Sequence, residues 1–166
     1  AQRVVMAIAL VLNPRLVIAD EPTTGLDVTI QRQILDMISK LLEEERRAML
    51  LVTHDLGIVA QYCHRVIVMY AGKIVESGPV DEVFVNPAHP YTQALLAAIP
   101  RPGQQLVSLR GRVPSLIDYP KGCPFKDRCD HAFDLCSTEE PRPRELSGKR
   151  EFACHLAKGV TDVAAR

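Results

Sequence analysis

Apolar residues recur along the first hundred positions in two rhythms, and their alternation is that of a layered α/β chain. Short continuous apolar runs, Leu16-Val17-Ile18-Ala19 and Met49-Leu50-Leu51-Val52, have the length of strands buried on both faces in a parallel sheet. Between them Ile30, Ile34, Met37, Ile38, Leu41 and Leu42 fall at helical spacing, which predicts a helix over Val28 to Glu44 with one face on the sheet. A helix over Arg3 to Leu12 ends at Asn13-Pro14, and a short one is predicted over Leu56 to Tyr62. Strands over Arg65 to Tyr70 and Lys73 to Glu76 turn at Ala71-Gly72 as a hairpin. A short helix over Pro79 to Val85 has its proline near the start and is closed by Asn86-Pro87. From residue 101 six prolines fall in 66 residues and the periodicity fades, so a loop-rich extension is expected there.

Composition adds little to this outline. With 166 residues, 47% hydrophobic and 24% charged, the chain is of globular type. Its longest wholly apolar run, Val4 to Leu12, has nine residues against the roughly 20 that span a bilayer, so no transmembrane segment is read, nor a signal peptide. Formal charge is zero overall, from −3 through Pro100 (8 basic, 11 acidic) and +3 beyond it (12 basic, 9 acidic). A swing that small gives no ground for nucleic-acid binding.

The chemistry begins where the first strand ends. Leu16 to Ala19 deliver two adjacent carboxylates, Asp20 and Glu21, followed by Pro22 and by Thr24-Gly25-Leu26-Asp27. Open α/β sheets bind ligands beyond the carboxyl ends of their strands. An Asp at such a tip can hold Mg²⁺, and a neighbouring Glu can orient or deprotonate a water for attack on a γ-phosphate. Taken alone, Asp-Glu-Pro is as readily a polar turn. The second apolar strand ends in Thr53-His54-Asp55, and a histidine there is either a satisfied structural residue or a γ-phosphate sensor whose neutral ring donates to phosphate while its other nitrogen accepts from the loop.

Together, the stretch from Ala1 to Gly78 resembles the C-terminal half of the nucleotide-binding domain of an ATP-binding cassette (ABC) transporter. Leu16 to Asp20 looks like the Walker B strand, with Asp20 on Mg²⁺, Glu21 like the catalytic carboxylate, Thr24 to Asp27 like the D-loop, and His54 like the switch histidine. Gln2 and Arg3 look like a remnant of the segment that follows the family's Leu-Ser-Gly-Gly signature. The resemblance implies a partial P-loop NTPase sheet, with Asp27 at the interface of two nucleotide-binding domains; its local alternative is N-cap of the following helix, and both can hold. The stretch Asn86 to Pro100, with its Pro-Ala-His-Pro-Tyr-Thr, is similar to the segment after the core in ATPases of the oligopeptide, dipeptide and nickel uptake branch. The resemblance therefore divides the chain at residue 85, with an extension over 86–166.

No Gly-x-x-x-x-Gly-Lys-Ser/Thr loop occurs in the chain, and the first residue is Ala1 rather than Met. The expectation is a piece of a longer ATPase that does not hydrolyse ATP by itself, since the phosphate-cradling backbone and its lysine supply most of the affinity. Parallel edges and apolar faces left uncovered would favour self-association into dimers or larger species. For the whole protein the resemblance implies ATP and Mg²⁺, a second ATPase subunit, two transmembrane permease subunits and, indirectly, an extracytoplasmic peptide-binding protein, at the cytoplasmic face of the membrane.

Cys123, Cys129, Cys136 and Cys154 all lie in the extension, separated by 5, 6 and 17 residues, while Cys63 stands apart. Four cysteines in so short and apolar-poor a stretch suggest a staple. A disulfide suits a cytosolic ATPase poorly; structural Zn²⁺ takes four thiolates but usually shows a C-x2-4-C knuckle, absent here; a [4Fe-4S] cluster tolerates wider spacing; free thiols remain the plain alternative. Gly111 to Leu116, Gly122 to Cys129, Cys136 and Cys154-His155 are similar to the extension of the peptide-transporter ATPases, which implies a [4Fe-4S] cluster on these four ligands, with His155 beside them. A competing role for the chain is then a metal-binding regulatory or docking module.

Overall fold

A computed structural model describes residues 2–100, 109–147 and 149–156. The chain divides into two compact units, Ala1–Tyr62 and Cys63–Arg166. Among the described residues, no helix is long and apolar enough to cross a membrane.

The first unit runs α1 (Gln2–Leu10), β1 (Leu16–Asp20), α2 (Val28–Glu44), β2 (Ala48–Val52) and α3 (Leu56–Tyr62). Strands β1 and β2 pair in parallel, from Leu16 opposite Ala48 to Asp20 opposite Val52, so both end at the same edge. The long helix between them is the crossover that parallel pairing requires. Its buried Ile34, Ile38 and Leu42 pack with Val17, Met49, Met6 and Leu10. Because strand side chains alternate, Leu16, Ile18, Leu50 and Val52 occupy the opposite face and are exposed. The burial on both faces that the apolar runs predict is thus realised on one, the face that α2 covers.

The second unit runs β3 (Arg65–Tyr70), β4 (Lys73–Pro79), α4 (Val80–Val85), α5 (Pro90–Ala97), a 3₁₀ turn (Lys126–Arg128), α6 (Asp134–Thr138), β5 (Arg144–Ser147) and β6 (Arg150–Phe152). The foreseen hairpin is present, with a bulge between Val68 and Met69. What the sequence did not foresee is that β6 pairs with β4, and β5 with β6, giving the antiparallel order β3-β4-β6-β5. Nor is the extension without a core. Phe125 is buried edge-on to Tyr70, with ring centroids 5.2 Å apart, and Tyr91 stacks at 4.6 Å from Tyr70. Few but large aromatic side chains supply the apolar area that the weak periodicity hides.

A buried ion pair ties the extension to β4. Glu76 is fully buried; its Oε1 accepts from Arg150 Nη2 at 2.7 Å and from the Ala88 N–H at 2.8 Å, and its Oε2 accepts from the His89 N–H at 2.9 Å. Arg150 also donates to the Asn86 carbonyl. His89, itself buried, caps α5 by accepting from the Tyr91 N–H at Nδ1, at 3.0 Å.

Burial holds the His89 imidazole pKa down, from the usual 6.5 to about 4. The unfolded chain therefore takes up the proton first, so stability falls as pH drops from about 6.5 toward 4, by up to about 3 kcal/mol. In urea unfolding, the advantage of wild type over His89→Gln should be largest at pH 7.5 and shrink by pH 5. An advantage unchanged between the two pH values would contradict a neutral buried ring.

Candidate active site

The parallel register that sets Asp20 opposite Val52 also brings the residues just beyond them together. The Glu21 N–H donates to the Val52 carbonyl at 2.9 Å, extending the ladder by one residue. Its backbone then turns into the left-handed region, φ 45°, which non-glycine residues occupy at a cost. The turn presents the Glu21 carboxylate to the end of β2. There Oε1 accepts from the His54 backbone N–H at 3.1 Å and meets His54 Nδ1 at 2.6 Å. Oε2 accepts from the Thr24 hydroxyl at 2.9 Å.

The electrostatics follow from this pairing. The hydrogen bond from His54, then that from Thr24, holds the Glu21 carboxyl below its ordinary value, and the hydrogen bond to Glu21, reinforced by its negative charge, raises the His54 imidazole. Below its raised pKa the ring is an imidazolium on a carboxylate. The sequence expectation had the second ring nitrogen accept from the loop; here Nδ1 belongs to Glu21, which leaves Nε2 of an exposed ring facing outward. Asp20 stands exposed at the end of β1. Asp27 lies at the far end of the loop and caps α2, accepting from the Ile30 N–H at 3.0 Å. Gln2 starts α1, but the side chains of Gln2 and Arg3 lie outside the described residues.

Two contributors escaped the sequence reading. Thr24 was placed only within a loop, and Asp55 was not singled out. Asp55 Oδ1 accepts from the Gly57 N–H at 2.8 Å and fixes the start of α3, which begins two residues after His54. An Asp two residues before a glycine at a helix start is a capping pattern that could have been found.

The four cysteines of the extension line one cavity together with His89, Phe125 and His131. All are free thiols, and Cys63 is not among the cavity's residues. The Cys123 N–H donates to the Cys136 carbonyl at 2.8 Å, a close approach that Gly122 makes room for: a Cβ there would stand 2.4 Å from the same oxygen. Gly122 also has φ 78°. Gly122→Ala should therefore destabilise the second unit by about 1–3 kcal/mol, read by chemical denaturation; an unchanged midpoint would contradict the close approach.

Burial pushes the thiols of Cys123, Cys129 and Cys154 up, that of Cys129 to about 11. Backbone N–H groups pull the other way, from Phe125 and Lys126 at Cys123, His131 at Cys129, and Leu156 and His155 at Cys154. Among the described residues, no group of three or more His, Cys, Asp or Glu side chains is arranged to hold a metal ion. Neither the [4Fe-4S] cluster nor the zinc site raised from the sequence has such a group behind it.

Paired parallel strands with carboxylates at one tip and a histidine at the next define an α/β chain with a strand-end site. Residues 75–136 match the family described as "Oligopeptide/dipeptide transporter, C-terminal region". The dipeptide transport ATP-binding protein DppD of Escherichia coli is 49% identical over 158 residues, 93% of this chain and 48% of its own length. A putative peptide import ATP-binding protein of Brucella ovis is 53% identical, covering 84% and 44%, and the oligopeptide transport ATP-binding protein OppD of Salmonella typhimurium 48% identical, covering 84% and 43%. Among solved structures, cbiO1 of Clostridium perfringens is 37% identical over 50% of this chain and 33% of its own, with a TM-score of 0.47. The chain is similar to these dipeptide, peptide and oligopeptide ATP-binding proteins, and it spans about half the length of the curated relatives it matches.

Proposed function

We propose that this chain carries the hydrolytic carboxylate and switch histidine of an ATPase subunit that powers peptide import. The observation that carries the reading is Glu21, turned at the tip of β1 by a left-handed backbone and held against His54 from the tip of β2. In the whole protein, Asp20 would hold Mg²⁺, which neutralises charge developing on the phosphates. Glu21 accepts a proton from water as the water oxygen bonds to the γ-phosphorus; the bond to the bridging oxygen breaks and ADP leaves. His54 offers Nε2 to a γ-phosphate oxygen while its Nδ1 stays on Glu21. Asp27 and its loop serve assembly with the second ATPase subunit. Two transmembrane permease subunits and, through them, an extracytoplasmic peptide-binding protein complete the machine at the cytoplasmic face of the membrane.

The resemblance of the described relatives supports peptide as cargo, since two are described as dipeptide and oligopeptide transport proteins. The test is the full-length subunit with its permease in proteoliposomes. Peptide-stimulated ATP hydrolysis coupled to uptake of a labelled dipeptide is expected; hydrolysis indifferent to peptide and binding protein would overturn the cargo assignment. This chain by itself, lacking a phosphate-cradling Gly-x-x-x-x-Gly-Lys-Ser/Thr loop, should show no ATP turnover.

The cysteine cavity supports a second element of the reading, a [4Fe-4S] cluster held by Cys123, Cys129, Cys136 and Cys154. Single Zn²⁺ draws four sulfurs to about 2.3 Å from one point, whereas a four-iron cluster takes one thiolate on each of its four irons and spreads them. Four thiols lining one cavity fit a single four-thiolate site. So do the backbone N–H groups aimed at three of them, which favour thiolates. Bound, such a cluster supplies a covalent staple for the extension. Anaerobically purified protein should contain iron and acid-labile sulfide near four per chain. Zinc without sulfide, or no metal, would contradict it.

A further inference from the structure

We propose that Thr24 is a positioning residue for the hydrolytic carboxylate, fixing the rotation of Glu21 through its hydroxyl and so linking that carboxylate to the loop that ends at the Asp27 cap. The inference rests on the reading of Glu21 as the hydrolytic base. A glutamate with one oxygen on His54 can still swing the other about its terminal torsion, which is broad and shallow. The Thr24 hydroxyl, 2.9 Å from Oε2, removes that freedom: the carboxylate is held at both ends, by the loop on one side and by β2 on the other.

The backbone turn places the hydroxyl. Thr24 itself is exposed, but its N–H donates to the Glu21 carbonyl at 3.2 Å, closing a tight turn through Pro22 and Thr23. Thr23 is buried, 6% exposed, and proline fixes one of the turn's backbone angles. The next link is the Leu26 N–H, which donates to the Thr23 carbonyl at 3.2 Å, and then Asp27, whose side chain starts α2. The six residues from Glu21 to Leu26 therefore form a chain of short contacts between the carboxylate and the helix start. Displacing the loop moves the hydroxyl, and with it Oε2. A proton acceptor must meet its water within narrow limits, and a misplacement of about 1 Å can cost on the order of a hundredfold in rate.

The experiment compares Thr24→Val, Thr24→Ser and Glu21→Gln in the full-length subunit assembled with its permease. Thr24→Val keeps the shape and removes the hydroxyl; its kcat for ATP should fall between about tenfold and a hundredfold with KM unchanged, and Thr24→Ser should restore it. A fall in kcat that serine does not rescue, or a KM change without a kcat change, would assign Thr24 a merely structural role and overturn the proposal. Normal kcat in Thr24→Val with loss of turnover in Glu21→Gln would overturn it while leaving the base in place. Normal turnover in Glu21→Gln would instead remove the reading on which it stands.

Discussion

Glu21→Gln in the full-length subunit should reduce ATP turnover by a factor on the order of 10² to 10⁴, the span a positioned general base contributes, while ATP binding is retained. Glutamine keeps the length of the side chain; its carbonyl oxygen can accept from the His54 N–H while its amide nitrogen donates to the Thr24 hydroxyl oxygen, so the turn after β1 is preserved. What it cannot do is take the proton of the attacking water. His54→Ala should also lower turnover, but through a different loss: the carboxylate keeps the Thr24 bond and loses the ring from Oε1. Equilibrium binding of ATP and multiple-turnover phosphate release separate the two variants from a folding defect. Equal loss of binding and turnover in Glu21→Gln would point to misfolding of the strand tip.

Arg150→Met should cost about 3–5 kcal/mol of stability, because it leaves Glu76 a fully buried carboxylate with its charge unpaired. Two backbone N–H groups would still satisfy its oxygens, but dipoles alone do not offset a buried charge as a guanidinium does. The double variant Glu76→Gln with Arg150→Met should recover part of the loss: no net charge then remains inside, but glutamine offers one acceptor oxygen where two backbone N–H groups now find two. The expected consequence is specific in place. Glu76 lies on β4, Ala88 and His89 lead into α5, and Arg150 begins β6, so the pair joins the core hairpin to the extension. Denaturation followed at the Tyr70, Tyr91 and Phe125 cluster reports it, and a single variant as stable as the wild type would contradict the buried pair.

Much of the first unit was legible in the sequence because its elements obey strong local rules. The four-residue run before Asp20 marks β1 and the helical spacing from Ile30 to Leu42 marks α2 over Val28–Glu44; in the second unit, Ala71-Gly72 marks the hairpin turn. The contact between Glu21 and His54 was not legible in the sequence, since a carboxylate after one strand and a histidine after another are remote along the chain; the parallel register brings them within 2.6 Å. Strands β5 and β6 were not legible. They are four and three residues long, rich in Arg and Glu, and owe their pairing to β4 rather than to an alternating pattern. Glu76 was equally hidden: a lone Glu in a strand reads as surface, and only Arg150, 74 residues away, makes it a core residue. The cysteines drew notice by number, yet their common cavity depends on Gly122 allowing two backbones to touch.

The central claim is that Glu21 performs the chemical step and does not merely support nucleotide binding. Its most direct test is a rapid-quench, single-turnover measurement of γ-phosphate release from pre-bound, labelled ATP, comparing wild type with Glu21→Gln in the assembled full-length transporter. Bound ATP that persists in Glu21→Gln, with cleavage slowed on the order of a hundredfold or more, is the result predicted. Cleavage of bound ATP at the wild-type rate would contradict the account, whatever the effect on steady-state turnover.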